Sequence, residues 1–417
     1  MIPTLKTKQN QISAKNLKFE EDLFRYISTQ SDEHTSLGIR RFHTALLQFL
    51  SKEDQSINPG TSYRKQIVQA FTSRQVPITP DHAENLTYRV AQRMWVEHYP
   101  KIIPVINGYR VLLKDGHTFQ ETVGVIAEFD ERAWYKLIEI LFSPKYFEKY
   151  LHLLNERSTQ TNKETRYINV AALAIKYFGY QNRRGLKWLD VGSSLGLGTI
   201  RVANKTKIFE SPKKDPTRIF YDLRLNEIPF NKFAIQDITE PDPYWVWVCK
   251  HYPEELKNAE APEDLVKATE ELEEFKVETI VGSILDNQFR GENADMISAL
   301  TTIYQIPRGL QNEAVVKLLE RVRPGGILLI VDFLEANEQG TQIIPVKKWF
   351  GTDAKGNKLH NYKVTVALKD SSGNVVKNGR EGFLFDIGGW SDGRCRDEFK
   401  PGRDFDTVFG SNKINHN

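Results

Sequence analysis

The stretch from Leu186 to Ile200, LKWLDVGSSLGLGTI, limits the fold more than any other part of this chain. Trp188, Leu189 and Val191 form a short apolar run that suits a strand buried on both faces, and the glycines after it let the backbone turn before a helix starts. Such a strand, turn and helix make a ligand cradle. Gly192 and Gly196 permit close backbone approach and positive φ, the first amides of the helix offer unpaired donors, and Asp190 at the strand end adds a fixed acceptor.

Downstream, strand and helix patterns alternate. Phe233–Ile238 reads as a second strand ending in Asp237, Val277–Ile284 as a third, Met296–Leu300 as a fourth and Arg323–Phe333 as a fifth, with helices at Tyr244–His251, Pro262–Phe275 and Asn312–Val322. This alternation predicts an α/β domain with a mostly parallel sheet covered on both faces. From Tyr362, YKVTVALKDSSGNVV alternates like two strands joined at Ser371–Asn374, an antiparallel hairpin, and Gly382–Phe385 adds a further strand. Residues near 207–231 and 253–275 read as insertions in this domain.

Upstream, from Phe19 to about Leu154, apolar residues return at three- and four-residue intervals, which predicts a mainly helical N-terminal domain over 1–160 and an α/β domain over 161–417. Asn58–Gly60 and Pro77–Asp81 mark breaks between helices, Tyr109–Leu113 reads as a short strand, and MIPTLKTKQNQISAK as a flexible start. Tyr167–Tyr180 is an amphipathic helix leading into Leu186, so the boundary is expected within Glu156–Thr165. The helical domain is expected to act as lid and substrate-selecting part, with a homodimer contact through its helices; its aromatic content suits a small-molecule pocket.

The 57 basic and 54 acidic residues leave a net charge of +3, so no long basic face is implied and nucleic acid is disfavoured as a partner. Cys249 and Cys395 cannot build a disulfide framework and suit a reducing cytoplasm. The most apolar segment, Gly325–Leu334, is about half of the roughly 20 residues a membrane span needs. The N-terminus lacks the apolar stretch of a secretory signal, and the 9 histidines show no metal spacing.

Ligands of open α/β sheets bind beyond the carboxyl ends of the strands, where Asp190, Asp237 and the Gly282–Asp286 loop are expected together. Asp237 there could accept bonds from both hydroxyls of a ribose. On these residues the chain resembles the class I S-adenosylmethionine-dependent methyltransferases. Asp190, Gly192, Ser194 and Gly196 fill the family's first motif, with serine at the middle glycine; Asp237 matches its second-strand acid, and Ile238 the position that lines adenine. Gly282 with Ser283, Ile284 and Asp286 corresponds to the third-strand loop, ADMISALTTIYQIP to the fourth strand with Leu300 and Tyr304, and RVRPGGILLIVDF to the turn before the fifth. Together these segments cover about a third of the chain.

The resemblance implies a Rossmann-like seven-stranded sheet whose antiparallel hairpin places the seventh strand between the fifth and sixth. It also implies S-adenosyl-L-methionine as cofactor, held by Asp190, Gly192, Ser193, Ser194, Gly196, Asp237, Ile238, Ser283, Ile284, Asp286 and Leu300. Methyl transfer to O or N of a small-molecule acceptor follows, with Tyr304 as a catalytic candidate and the base unassigned; His34 and His43 are the histidines considered for it. Peptide, protein or RNA acceptors and a non-catalytic cofactor-binding role are the alternatives. GSSLG also fits the Gly-x-Ser-x-Gly elbow of a serine hydrolase, with Ser194 as nucleophile. The G-x-G-x-x-G fingerprint of nicotinamide dehydrogenases is not met, because Ser194 or Arg201 stands where a glycine is needed.

Overall fold

A computed structural model describes the chain except for residues 1–2, 35, 55–61, 75–76, 103–122, 159–164, 180–181, 204–227, 260–262, 287–292, 333, 337–342, 346–361, 379–381, 391–399 and 410–417. It divides into two units, residues 1–161 with 242–266, and residues 162–241 with 267–417.

The first unit is helical: α1 (Pro3–Glu33), α2 (Leu37–Asp54), α3 (Tyr63–Thr72), α4 (Pro80–Ile102), α5 (Glu131–Leu141) and α6 (Phe147–Glu156). Of the residues read as a flexible start, 3–15 belong to α1. Pro80 opens α4 at a position where its missing amide costs nothing, and Asp130 caps α5 by accepting from the Ala133 N–H at 2.8 Å. The strand expected at Tyr109–Leu113 and the break at Asn58–Gly60 lie outside the described residues. Aromatic rings fill the core, Phe42 edge-on to Trp134 at 5.3 Å, Trp134 to Phe129 at 5.5 Å and Phe129 to Trp95 at 5.2 Å.

The second unit opens with α7 (Thr165–Gly179), β1 (Leu186–Val191), α8 (Leu197–Ala203) and β2 (Phe230–Asp237); most of the insertion expected near 207–231 lies outside the described residues. After β2 the chain rejoins the first unit as α9 (Pro243–Lys250). The division differs from the expected boundary at residue 160: residues 242–266 belong to the helical unit, so of the insertion expected near 253–275 only residues 267–275 fall in the α/β unit. The reason is aromatic. Trp245 and Trp247 are buried in the helical core, Trp245 Nε1 donates to the Ser158 carbonyl at 2.8 Å, and Arg89 of α4 donates to the carbonyls of Val248 and His251.

The chain continues through α10 (Glu263–Glu274), β3 (Glu278–Val281), β4 (Ala294–Leu300), α11 (Arg308–Glu320), β5 (Val322–Asp332), β6 (Leu334–Ala336), β7 (Ile343–Pro345), β8 (Tyr362–Leu368), β9 (Phe385–Trp390), β10 (Lys400–Pro401) and α12 (Phe405–Phe409). The main sheet runs β10-β9-β8-β5-β4-β1-β2-β3. β1 to β5 are parallel in the doubly wound order, and β8, β9 and β10 are successively antiparallel. This is a Rossmann-like mixed sheet of seven strands extended by a two-residue edge strand.

Its antiparallel end differs in detail from the expectation. β8 itself lies beside β5, so the middle place is taken by the earlier of the two last long strands. The turn at Ser371–Asn374 forms, but the strand after it shrinks to one bridge between Lys369 and Val375, and β9 pairs with β8 instead. The third strand is also shorter than expected, because β3 is an edge whose residues are largely exposed.

Apolar side chains cover both faces of the sheet, as a buried parallel sheet requires. Trp188, Ile235, Met296 and Ile327 pack in one cluster with Val170, Leu173 and Phe178 of α7; Leu189, Val191, Ile297 and Leu328 pack in another with Ala314, Val315 and Leu318 of α11. At the amino end, Asp295 fastens the sheet, accepting from Arg183 at 2.9 Å, Arg323 at 3.2 Å and the Lys187 amide at 2.9 Å. The expected Pro-Gly-Gly turn lies instead within β5, at a shift of register against β4, and a Cβ at Gly326 would come within 2.5 Å of the Asp295 carbonyl.

Candidate functional site

The loops at the carboxyl ends of β1, β2, β3 and β4 bring most of the expected residues to one edge of the sheet. After β1 the chain turns through three left-handed residues, Gly192 (φ 66°), Ser194 (φ 59°) and Gly196 (φ 66°). The glycines are required by close packing as well as by φ: a Cβ on Gly192 would stand 2.4 Å from Thr302 Oγ1, and one on Gly196 2.9 Å from Ile235 Cγ2. The loop is hooked onto β2, with the amides of Gly192 and Ser193 donating to the Gln236 carbonyl at 2.7 and 3.2 Å.

Asp237, half-buried at the end of β2, accepts from the Ser194 N–H at 2.8 Å through Oδ2 and from the Ile238 N–H at 2.7 Å through Oδ1. It therefore holds the serine of the glycine loop in its left-handed conformation while keeping a carboxylate at the sheet edge. Gly282 follows β3 with φ 150°, donates to the Asp237 carbonyl at 2.9 Å, and among the described residues no atom lies within 4 Å of where a Cβ would be. The side of Gly282 facing away from the chain is thus open next to Asp237. Gln236 braces this loop from below by donating to the Gly282 carbonyl. Ser283 spends its hydroxyl on the Leu285 amide at 3.1 Å, Ile284 is buried, and Asp286 is exposed.

Asp190 does not do what was expected of it. It is 0% exposed, with Oδ1 accepting from Ser298 Oγ at 2.6 Å and Oδ2 from Thr199 Oγ1 at 3.1 Å, while Ser298 Oγ accepts from Trp188 Nε1 at 2.7 Å. Its carboxylate joins β1, β4 and α8 beneath the loop; it supports the cradle and does not line it.

Leu300 is buried at the end of β4. Thr301 after it is a β-branched residue at φ 51°, an outlier for its type, and is pinned by its amide donating to the Val331 carbonyl at 2.7 Å. The Thr302 hydroxyl reaches the Val191 and Leu300 carbonyls, both at 3.1 Å. Tyr304 is half-buried, packs against both sheet clusters, and donates its amide to the buried Asp332 at 3.0 Å. Thr302, Gln236 and Asp332 were not singled out from sequence; the paired threonines after an apolar strand were the visible hint of a strained strand end.

His34 and His43 lie in the helical unit. Burial lowers both, and pushes His43, which also neighbours His34, down to about 3, too low to hold a proton taken from an acceptor at neutral pH. The described residues of the α/β unit include no histidine. Among the described residues no group of three or more His, Cys, Asp or Glu could hold a metal, and no helix is long and apolar enough to cross a membrane.

No protein-family model matches the chain, and neither does any curated protein. Among solved structures it is similar to CalS10 of Micromonospora echinaspora, an amino pentose methyltransferase with S-adenosylmethionine bound, at 12% identity over 60% of this chain and 83% of that one, TM-score 0.25. DesVI of Streptomyces venezuelae is similar at 11% identity over the same shares, 60% and 83%, TM-score 0.27. For YcgJ, a Bacillus protein, the figures are 12% identity, 40% of this chain and TM-score 0.24, and the match spans 50% of that protein's length. The Rossmann-like fold is set by the strand order of the sheet, β5-β4-β1-β2-β3 in its parallel half.

Proposed function

We propose that the chain is an S-adenosylmethionine-dependent methyltransferase acting on O or N of a small-molecule acceptor. The observation that carries this reading is the half-buried Asp237 carboxylate at the end of β2, bonded to the loop that follows β1 and adjoining the open side of Gly282. Five motif segments in family order support it. The residues fit the cofactor: Asp237 would take the ribose hydroxyls, Gly192 to Gly196 the amino-acid part, and Ile238 and Ile284 the faces of the base, with Ser283, Asp286 and Leu300 around it.

When bound, S-adenosylmethionine supplies an activated methyl group. The chain's own part is then to bind, orient and exclude water, since alignment and desolvation account for most of the gain in a transfer that leaves a neutral sulfur. Asp190 with Ser298 and Thr199 keeps the cradle rigid. Thr301 to Gln305, held by Val331, Val191 and Asp332, form the stiff strand end over which the acceptor would approach, with Tyr304 there to orient it.

The test is incubation with methyl-labelled S-adenosylmethionine and separate pools of hydroxylated metabolites, amines and peptides, read by label transfer and product mass. Transfer to a hydroxyl or amine metabolite supports the reading. Transfer to peptides alone moves the acceptor class, and cofactor binding without transfer in any pool favours a binding protein.

A further inference from the structure

The two loops of the candidate site follow strands that are not neighbours in the sheet. The glycine loop follows β1, the Gly282–Asp286 loop follows β3, and β2 lies between, pairing Gln236 with Val191 on one side and with Ile280 on the other. Gln236 is 2% exposed, and because side chains alternate along a strand it leaves the sheet on the face opposite to Asp237. Both ends of its amide are used. Oε1 accepts from the Gly192 N–H at 3.4 Å, sharing that proton with the Gln236 carbonyl at 2.7 Å, and Nε2 donates to the Gly282 carbonyl. The reverse orientation would set oxygen against the carbonyl and NH2 against the N–H, so the two loops fix which way the amide points.

The loop after β3 has few other restraints on its place. β3 is an edge strand of 4 residues, largely exposed, so burial does little to fix the backbone that follows it. Gly282, at φ 150°, has no atom of the described residues within 4 Å of a Cβ position, so sterics leave its peptide free to turn. Hydrogen bonds decide its direction instead. The Gly282 N–H goes to the Asp237 carbonyl at 2.9 Å, and its carbonyl takes the Gln236 amide. Further along, the Leu285 carbonyl accepts from Lys317 of α11.

Resting on the S-adenosylmethionine reading of this edge, we propose that Gln236 is a positioning residue: it sets the spacing between the loop for the amino-acid end of the cofactor and the loop for its base, without touching the ligand. The base and the amino acid are two groups on one molecule. Joining them strengthens binding only where both loops stand at the span of the ligand. An amide can donate at Gly282 and accept at Gly192 together, which an ionised carboxylate, an ammonium or an apolar side chain cannot.

The test uses the full chain with S-adenosylhomocysteine, which has both ends, and with adenosine, which lacks the amino acid. Calorimetry measures the Kd of each for the native protein, Gln236→Met and Gln236→Glu, and circular dichroism melts show that the variants fold. Gln236→Met removes both bonds at similar volume, whereas Gln236→Glu keeps the acceptor and sets an oxygen against the Gly282 carbonyl. Adenosine needs only the loop after β3, which can move to meet it, so its binding should weaken less than about threefold. S-adenosylhomocysteine must meet both loops and should weaken about tenfold or more in both variants. A purely structural role would lower the competent fraction and weaken both ligands by one factor. Equal weakening, or none, in variants of a native protein that binds S-adenosylhomocysteine overturns the role of Gln236 and leaves the cofactor reading standing. No binding by the native protein overturns the cofactor reading, and the role of Gln236 with it.

Discussion

Substituting Gly192 by Ala tests how the glycine loop is built. The added Cβ would stand 2.4 Å from Thr302 Oγ1 and 2.6 Å from its Cγ2, at φ 66°. Two costs follow. The left-handed conformation costs an Ala about 1–2 kcal/mol, and overpacking against Thr302 costs about 1–3 kcal/mol, because Thr302 is held by the carbonyls of Val191 and Leu300, both at 3.1 Å, and cannot swing aside without losing them. Gly192→Ala should therefore destabilise the α/β unit by roughly 2–5 kcal/mol. Thr302→Ala alone gives up hydrogen bonds worth about 1 kcal/mol and leaves only its Cβ, 3.0 Å from the new methyl. In the double variant the overpacking is relieved and the conformational cost stays, so the single losses should fail to add by about 1–3 kcal/mol. At about 2–4 °C per kcal/mol, that coupling is roughly 2–12 °C of melting temperature. Circular dichroism melts of the four proteins measure it, and additivity within about 0.5 kcal/mol would refute the contact and the loop geometry built on it.

Asp237→Ala should weaken S-adenosylmethionine binding about tenfold or more, through the ribose hydroxyls and the loss of its bond to the Ser194 amide; calorimetric titration reads this, and an unchanged Kd would make Asp237 a structural residue only. Asp190→Asn should lower stability by about 1–3 kcal/mol, since its new NH2 must face one of two hydroxyl donors, Ser298 or Thr199; a melt equal to the native one would contradict the buried network. Ser194→Ala should leave cofactor binding within about twofold and should reveal no lost esterase activity on a generic ester. His43 is neutral when folded, its pKa pushed from 6.5 to about 3, so the unfolded chain binds the extra proton: its contribution is whole above pH 6.5 and falls as pH drops toward 3, by roughly 1.4 kcal/mol per pH unit. His43→Gln should flatten the decline of melting temperature between these pH values, and an unchanged slope would exclude His43 as its source.

The parallel half of the sheet was legible in sequence because its signals are local. An apolar run in Leu186–Val191, two glycines after it and Pro-Gly-Gly before Ile327 each declare themselves within a few residues. The pairing of β9 with β8 was hidden, since nothing local tells a strand which of two later segments will lie beside it. That residues 242–266 leave the 161–417 domain for the helical unit was hidden for the same reason: Trp245 and Trp247 announce burial without saying in which core. Within the site, Asp237 and the glycines could be found by position, whereas the inward turn of Asp190 depends on Ser298, 108 residues further along. Thr302 entered only through its contact with Gly192, and no spacing rule connects the two.

The central claim is that the edge formed by Asp237, the glycine loop and Gly282 binds S-adenosylmethionine. Isothermal titration of the full chain with S-adenosylmethionine tests it most directly. The account predicts saturable heat with one ligand per chain, and the same for S-adenosylhomocysteine. No heat with either ligand, and no rise in melting temperature at saturating concentration, would contradict it.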